Sequence, residues 1–228
     1  MQRDDALRRP RPATLAIVGV VLVAAACGLG AWILAQGNQA FAIDAWWNAL
    51  LVSSSSSVIA TFALAMDWLG GGWFGIFAVP IGIAVLLVVL RRPWAAGFFL
   101  LAEIVSAVGV QALKHLFGRA RPEEILIIAD YGSFPSGHTA NAATIAVAAV
   151  VIFPRLWTVI AGVAWVLLMA FSRTYLHAHW LSDTIGGTLI GAGTALLVAA
   201  AFAVPLARED ARRRRATTDA SPEPSSLG

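Results

Sequence analysis

The chain has 228 residues, of which 59% are hydrophobic and only 13% are charged. An ordinary soluble domain carries roughly 25% charged residues, so this composition excludes a water-soluble globular protein and favours an all-α membrane protein. The net charge of +3 gives no reason to expect a nucleic-acid partner, and the single cysteine, Cys27, excludes an internal disulfide.

Six apolar stretches are long enough to cross a bilayer as helices, because about 20 helical residues span a hydrocarbon core of about 30 Å. The first continues past Cys27, so we interpret it as a spanning helix and not as a cleaved lipoprotein signal. We therefore predict a polytopic membrane protein with six transmembrane helices in one domain over residues 13–206. The predicted spans cover residues 13–35, 72–90, 94–116, 138–154, 156–176 and 182–205.

Residues 36–71 form the ambiguous segment, because their second half is apolar enough to suggest a seventh span. A span there would move Arg91 and Arg92 to the face opposite the basic N-terminus, against the tendency of Lys and Arg to remain cytoplasmic. We therefore predict an interfacial or re-entrant extracytoplasmic segment. Residues 1–12 are predicted to be a basic cytoplasmic head, and residues 207–228 a disordered cytoplasmic tail.

With six spans, most of the 16 Lys and Arg residues fall on the cytoplasmic side. The remaining cations lie at outer helix ends or loops, together with every histidine of the chain. Cations on the side that the positive-inside tendency disfavours are candidates for a functional site, and here they indicate an anion. These residues are Lys114, Arg119, Arg121, Arg173, His115, His138, His177 and His179.

The cluster lies in three short segments, residues 114–122 (KHLFGRARP), 135–138 (PSGH) and 172–183 (SRTYLHAHWLSD). Arginine forks suit phosphate, and the second segment begins a helix whose unpaired N–H groups attract an anion. His179 and Asp183 are four residues apart, so on a helix they share one face, and Asp183 could fix the tautomer of a nucleophilic imidazole. Taken singly, each feature has a plainer interpretation: an interfacial arginine, a capped helix start with a chance histidine, or an ordinary pair at a helix start.

The three segments together resemble the type 2 phosphatidic acid phosphatase family. Its signature is Lys, six residues, Arg-Pro; then Pro-Ser-Gly-His; then Ser-Arg, five residues, His, three residues, Asp, and every specified position is filled here. The resemblance implies metal-independent hydrolysis of a lipid phosphate through a phosphohistidine, with no cofactor. It implies that His179 is the nucleophile, that Asp183 orients it, that His138 is the general acid and base, and that phosphate is held by Lys114, Arg121, Arg173 and the amides of Ser136 and Gly137.

Other residues at this end of the helices are less specified. Arg119 and Tyr131 are possible substrate contacts, although Arg119 could equally be an interfacial charge, and the loop carrying Tyr131 could shape substrate choice or only remain hydrated. We interpret His115 and His177 as interfacial polar side chains. Glu103 lies well inside the third span, where an ionised carboxylate is costly, and the sequence offers it no partner.

A site at a membrane interface favours a lipid substrate, because a lipid presents its headgroup there without leaving the bilayer. The resemblance suggests undecaprenyl diphosphate, phosphatidic acid or phosphatidylglycerol phosphate, in the cell membrane of a bacterium. A phosphotransferase using the same site is the first alternative, and a non-enzymatic anion binder or transporter is the second. A related haloperoxidase is disfavoured by six spans.

Overall fold

The computed structural model describes residues 10–219, and over these residues the chain is helical and contains no strand. The predicted all-α class is confirmed. Residues 1–9 of the predicted head and 220–228 of the predicted tail lie outside the described residues. The helices are α1 (Pro12–Ala35), α2 (Ala42–Ser53), α3 (Ser57–Gly70), a π-helix (Phe74–Ala78) continuing into α4 (Val79–Val89), α5 (Pro93–Phe117), α6 (Gly137–Ile152), α7 (Leu156–Tyr175), α8 (Leu181–Ala201) and α9 (Ala203–Asp219).

Each of the six apolar stretches is largely helical, although residues 72–90 and 182–205 each extend over two helices, and the structure supports fewer full spans. Four helices, α1, α5, α7 and α8, are long and apolar enough to cross a membrane. The helices Ser57–Gly70 and Phe74–Val89 meet at a bend of 48° and give a fifth span if they are taken together. Because α6 has only 16 residues, the count of six stays a prediction.

The outer surfaces of these helices carry large apolar side chains. Ile17, Val85, Val108 and Leu167 are each more than half exposed. Such a surface suits lipid tails and would be unfavourable in water, so the chain is a multi-pass membrane protein.

Helix α8 is the central element, and its small residues let α6 approach closely. A Cβ atom at Gly187 would lie 2.4 Å from the Ser136 carbonyl oxygen, and one at Gly191 would lie 2.2 Å from the Ala140 carbonyl oxygen. Only glycine leaves room for such backbone contact between packed helices. The contact fixes the start of α6 beside the start of α8.

Residues 36–71, predicted as interfacial or re-entrant, contain α2 and α3. The Ser56 amide donates to the Tyr175 hydroxyl (2.7 Å), which joins the start of α3 to the end of α7. At the other end of α3, Asn141 of α6 donates to the carbonyl oxygens of Gly70 (3.2 Å) and Gly75 (3.3 Å). The interruption between α3 and α4 is therefore held against α6, and the bent pair fits either a broken span or a re-entrant loop.

The structure differs from the predicted tail at residues 207–219, which are part of α9 and not disordered. The Glu209 carboxylate accepts hydrogen bonds from the Trp94 and Ala95 amides, both at 3.1 Å, at the start of α5. Asp210 pairs with Arg92 at 2.5 Å. These tertiary contacts stabilise a segment whose composition alone indicates disorder.

Candidate active site

The three motifs predicted from the sequence meet at one cavity of about 790 Å³. It lies where α5 and α7 end and α6 and α8 begin, and the interrupted end of α3 closes one side. The predicted residues that line it are Lys114, Gly137, His138, Arg173 and His179.

His179 is held by the backbone of the loop before α6. Its Nδ1 atom lies 2.7 Å from the Ser133 carbonyl oxygen. Because a carbonyl oxygen can only accept, Nδ1 carries the proton and Nε2 of the neutral ring is unprotonated. Nε2 lies 3.2 Å from Nη1 of Arg121, which donates to it. The tautomer is thus the one with a lone pair on Nε2, as the predicted role of a nucleophile requires.

The predicted hydrogen bond between Asp183 and His179 is absent. Asp183 Oδ2 is 3.8 Å from His179 Nδ1, too far for a hydrogen bond. Asp183 instead accepts from the Trp180 amide (2.9 Å) and from Arg119 (2.6 Å). The Ser133 carbonyl oxygen, and not Asp183, is therefore the hydrogen-bond partner of the His179 Nδ1 atom.

Burial disfavours the charged form of His179, and nearby cations disfavour it further. Together with the charges of Arg173, Arg121 and Lys114, burial holds the pKa of His179 well below its ordinary value. A lowered pKa favours the neutral form of the ring at physiological pH.

Arg119, predicted as a possible substrate contact, is a buried structural residue. It pairs with Asp183 (2.6 Å) and Asp44 (2.9 Å), and the three side chains are 0% exposed. Asp44 also accepts from the Ser182 amide (2.8 Å). The paired carboxylates direct Arg119 away from the cavity, so the prediction of substrate contact is corrected.

Tyr131, the other residue predicted as a possible substrate contact, also lies outside the cavity. It is 63% exposed, and its ring stacks on His115 with centroids 5.6 Å apart. It does not line the cavity. His177 lies with its Nδ1 2.6 Å from the Asn48 side-chain oxygen and is also outside the cavity.

The start of α6 offers fewer amides than the sequence predicts. The Ser136 hydroxyl caps the helix, with the Thr139 amide donating to it at 3.5 Å. The Ser136 amide donates to the Asp183 carbonyl oxygen (2.9 Å) and is thus engaged, contrary to its predicted role in holding phosphate. Gly137 lines the cavity, as that role requires.

The cations predicted to hold phosphate are already paired with carboxylates of the chain. Lys114 Nζ contacts both oxygens of Asp130, at 2.7 and 2.8 Å, and Arg121 contacts Asp130 at 2.7 Å. Burial raises the pKa of Asp130, but the hydrogen bond and charge of Lys114, with the charge of Arg121, outweigh burial and lower it. Asp130 is thus ionised, and it occupies a position that a phosphate could take.

Arg173 is paired in the same way with Asp67, a residue of α3. Arg173 donates to Asp67 Oδ1, and the same oxygen lies 3.0 Å from His138 Nε2. Asp67 is not among the residues predicted from the sequence. A signal for it exists, because an acidic residue within an apolar helix, three residues before a run of glycines, is the kind of intramembrane carboxylate that marks a site.

The remainder of the cavity is apolar and extends away from these charges. Its walls are side chains of the π-helix and α4 on one side and of α5 on the other, with Glu103 among them. The apolar lining residues include Ile76, Phe77, Pro80, Ile81, Leu100 and Ile104. Within residues 10–219, no group of three or more His, Cys, Asp or Glu side chains is arranged to hold a metal ion.

The chain is similar in sequence to proteins that are named as phosphatases of lipid phosphates. Residues of this chain are 31% identical to the lipid A 1-phosphatase of Rhizobium johnstonii over 124 residues, covering 48% of this chain and 49% of that protein. They are 30% identical to the undecaprenyl-diphosphatase of Sulfolobus acidocaldarius over 128 residues, covering 52% of this chain and 61% of that protein. The chain thus spans about half the length of these curated relatives.

Two solved structures share the fold. One is the transmembrane PAP2-type phosphatidylglycerolphosphate phosphatase of Bacillus subtilis, with a TM-score of 0.64, 24% identity and coverage of 82% of this chain and 94% of that chain. The other is LpxE of Aquifex aeolicus, with a TM-score of 0.61, 24% identity and coverage of 69% and 95%.

The model of the PAP2 superfamily matches residues 94–205, which contain all three motifs. The resemblance inferred from the motifs is thereby confirmed, and residues 94–205 of this chain are a PAP2 superfamily region.

Proposed function

We propose that this chain hydrolyses a phosphate ester of a membrane lipid, without a metal ion. The observation that carries the proposal is the composition of the cavity wall. One end holds Lys114, Arg173 and two histidines, and the other is apolar and runs between α4 and α5. A ligand that fits both ends has a phosphate attached to a hydrocarbon chain.

In the first step, His179 Nε2 attacks phosphorus. A P–N bond forms as the P–O bond to the leaving group breaks, and His138 gives its proton to the departing alkoxide oxygen. The guanidinium groups of Arg121 and Arg173 and the ammonium of Lys114 stabilise charge on the non-bridging oxygens. Asp183, 3.8 Å from the ring, stabilises the positive charge that develops on His179.

In the second step, water replaces the histidine. His138, now neutral, accepts a proton from the water as the oxygen bonds to phosphorus and the P–N bond breaks. The electron pair returns to His179, and inorganic phosphate is released. For phosphate to enter, its oxygens must displace the carboxylates of Asp130 and Asp67 or bind beside them.

We place this site on the extracytoplasmic face of a six-span protein, in which the short helix α6 also crosses the membrane and brings the number of spans to six. The helix order puts Arg91, Arg92, Arg155 and the basic residues of α9 at the helix ends opposite His138 and His179. Basic residues concentrate on the cytoplasmic side, which supports cytoplasmic termini.

The curated relatives are named for lipid A and undecaprenyl diphosphate, and a further relative is the phosphatidylglycerophosphatase B of Bacillus subtilis. We therefore propose a lipid phosphomonoester or diphosphate as the substrate class. Transfer of the phosphoryl group to an alcohol would use the same first step, so the acceptor distinguishes the alternatives.

The test is phosphate release by the purified full chain from a panel containing phosphatidic acid, phosphatidylglycerol phosphate and undecaprenyl diphosphate, in excess EDTA and without added alcohol. We expect release by the wild type, none by His179→Ala, and near wild-type release by the control His115→Ala, because His115 is outside the cavity. Loss of activity in EDTA would contradict the metal-free mechanism. Activity in His179→Ala would contradict the nucleophile, and activity only with added alcohol would favour transfer.

Topology is tested separately by thiol labelling in a Cys27→Ala background. Ile128 is fully exposed in the loop beside the cavity, and Arg155 lies at the opposite helix ends. We expect Ile128→Cys to react with an impermeant reagent added outside intact cells and Arg155→Cys to react only after lysis. The reverse pattern would overturn the placement.

A further inference from the structure

Asp67 is the carboxylate that faces the general acid of the proposed reaction. It lies on α3, one turn before the interruption at residues 70–72, and its side chain is 29% exposed. His138 Nε2 is 3.0 Å from its Oδ1 atom and 3.1 Å from its backbone carbonyl oxygen. Arg173 donates to the same Oδ1 atom. One carboxylate thus contacts both a phosphate-binding cation and the proton donor.

The interruption of α3 is shaped to admit His138. A Cβ atom at Gly71 would lie 1.9 Å from His138 Nε2, so the ring occupies space that only glycine leaves open. Asn141, one turn after His138 on α6, donates to the carbonyl oxygens of Gly70 and Gly75. The same helix therefore positions the imidazole and fixes the segment that carries Asp67.

The contacts at Nε2 suit a positioning role. The Oδ1 atom and the backbone carbonyl oxygen of Asp67 both lie near His138 Nε2, and both can only accept a hydrogen bond. They therefore hold a protonated nitrogen and limit rotation of the ring. A carboxylate beside an imidazole stabilises the protonated ring, and proton donation to an alkoxide requires that form. A carboxylate that served only to occupy the phosphate position would need contact with Arg173 but not with His138.

We propose that Asp67 is the positioning residue of His138: it orients the imidazole and balances its charge while His138 protonates the leaving group. This inference rests on the proposed function. As the P–O bond breaks, the proton passes from the ring to the alkoxide oxygen, the ring becomes neutral, and Asp67 remains a carboxylate throughout.

The test compares leaving groups in the full chain. An alkyl lipid phosphate needs a proton on its leaving oxygen, whereas p-nitrophenyl phosphate releases a stable anion without one. We expect Asp67→Asn to lower kcat for the alkyl substrate by about 10²- to 10⁴-fold, the range of general acid catalysis. The first-turnover release of p-nitrophenolate should change far less. First turnovers are measured because His138 also serves the later hydrolysis of the phosphohistidine.

Asp130→Asn is the matched control, since Asp130 pairs with phosphate-binding cations without a hydrogen bond to either catalytic histidine. It should affect the two substrates alike. Asp67→Glu retains the carboxylate and should recover part of the alkyl activity, and it serves as the second variant if Asp67→Asn does not fold.

Equal losses on both substrates in Asp67→Asn would overturn the inference in favour of a structural role. Unchanged or faster alkyl turnover would overturn it in favour of a carboxylate that only occupies the phosphate position. A wild type inactive toward both substrates would overturn the proposed function, and this inference with it.

Discussion

His179 Nδ1 lies 2.7 Å from the carbonyl oxygen of Ser133 and 3.8 Å from the carboxylate of Asp183. A backbone acceptor therefore fixes the tautomer of the proposed nucleophile, and the Asp183 carboxylate is proposed to act on the ring only through its charge. This division leaves Asp183 able to pair with Arg119 and to cap α8. The ring is held in a buried position surrounded by cations.

The first prediction concerns the protonation of His179. Because burial and the charges of Arg173, Arg121 and Lys114 lower its pKa, we expect the ring to stay neutral as the pH falls through about 6.5, where an ordinary histidine is half protonated. A proton binds more readily to the unfolded state, so this group's contribution to stability is complete above that pH and is lost as the pH falls toward its folded pKa. The pKa of His179 is measured by NMR titration of the ¹³C-labelled protein, in which the His179 signal is assigned by its loss in His179→Gln.

Variants sharpen this titration. Arg173→Gln removes one cation near His179 and should move its transition to higher pH. Arg91→Gln, at the opposite helix ends, should leave it in place. A His179 transition at about 6.5 in the wild type would contradict the predicted direction.

The second prediction separates Arg119 from Arg121, which are two residues apart. Arg119→Gln removes the partner of two buried carboxylates and should destabilise the fold by about 3–5 kcal/mol. Because the Arg119 side chain is fully buried between Asp44 and Asp183, KM should stay near the wild-type value. Thermal denaturation in detergent and steady-state kinetics measure the two effects.

Arg121→Gln is the matched comparison. It removes a charged donor that lies 3.2 Å from His179 Nε2 and should raise KM roughly 10- to 100-fold, the equivalent of about 1.5–3 kcal/mol, with a smaller loss of stability. If Arg119→Gln raised KM and left the melting temperature unchanged, Arg119 would be a substrate contact after all.

The third prediction uses two adjacent glycines with different constraints. Gly71 has an extended backbone (φ −145°) that any residue adopts, but its Cβ would collide with His138. Gly72 has a φ of +55° and open space around it. Displacing a catalytic group by about 1 Å can cost about 10²-fold in rate, so we expect Gly71→Ala to lose activity on that scale.

Gly72→Ala should show the opposite profile. Its left-handed backbone makes alanine cost about 1–2 kcal/mol of stability, while activity is retained because nothing at the site is displaced. Turnover and melting temperature are measured for both variants. Equal activity of the two would mean that His138 does not depend on the space left by Gly71.

The sequence predicts which residues meet at the cavity, because the motif residues are identified by type and local spacing at the ends of apolar helices. His138, Arg173 and His179 all line the cavity. Their partners are harder to predict. Asp44 and Asp67 lie in α2 and α3, far along the chain from any motif, and the partner of His179 is a backbone carbonyl that no side-chain pattern reveals.

Residue type and composition also do not reveal the surroundings of a residue or a segment in the fold. Arg119 and Arg121 are the same residue type in one motif, yet one meets two buried carboxylates and the other meets the nucleophile. Residues 207–219 are polar and charged, but Glu209 caps α5 and so gives α9 a place in the fold. Only tertiary structure separates these cases.

The fourth prediction concerns Asp130, which bridges Lys114 and Arg121 with a side chain that is 55% exposed. Asp130→Asn should leave these cations to bind phosphate oxygens more strongly. Inhibition by inorganic phosphate should tighten by up to about fivefold, the scale of an exposed ion pair, and more at low ionic strength. The inhibition constant is measured against salt concentration.

The control for Asp130 is Glu123→Gln, an exposed acid of the same loop. Among the hydrogen bonds and ion pairs within residues 10–219, Glu123 has none to Lys114 or Arg121. The Glu123→Gln substitution should therefore leave inhibition by inorganic phosphate unchanged at moderate salt concentration. Weaker inhibition in Asp130→Asn would mean that Asp130 organises the loop and does not compete with phosphate.

The fifth prediction concerns Glu103, which lines the apolar part of the cavity. It is 11 residues before Lys114 on α5, or about 16 Å along the helix axis. Its Oε1 atom is buried and has no hydrogen-bond partner in the described part of the chain. An unsatisfied buried polar group costs about 1–3 kcal/mol, so Glu103→Leu should raise the melting temperature in detergent.

Glu103→Gln tests the reason for that gain. The glutamine side chain has the same shape as that of glutamate and remains polar, so Glu103→Gln should raise the melting temperature much less than Glu103→Leu does. Turnover of a water-soluble phosphate ester should be unchanged in Glu103→Leu, because such a substrate occupies only the charged end of the cavity. A lower melting temperature for Glu103→Leu would mean that the carboxyl group is satisfied in the folded protein, by water in the cavity between α4 and α5.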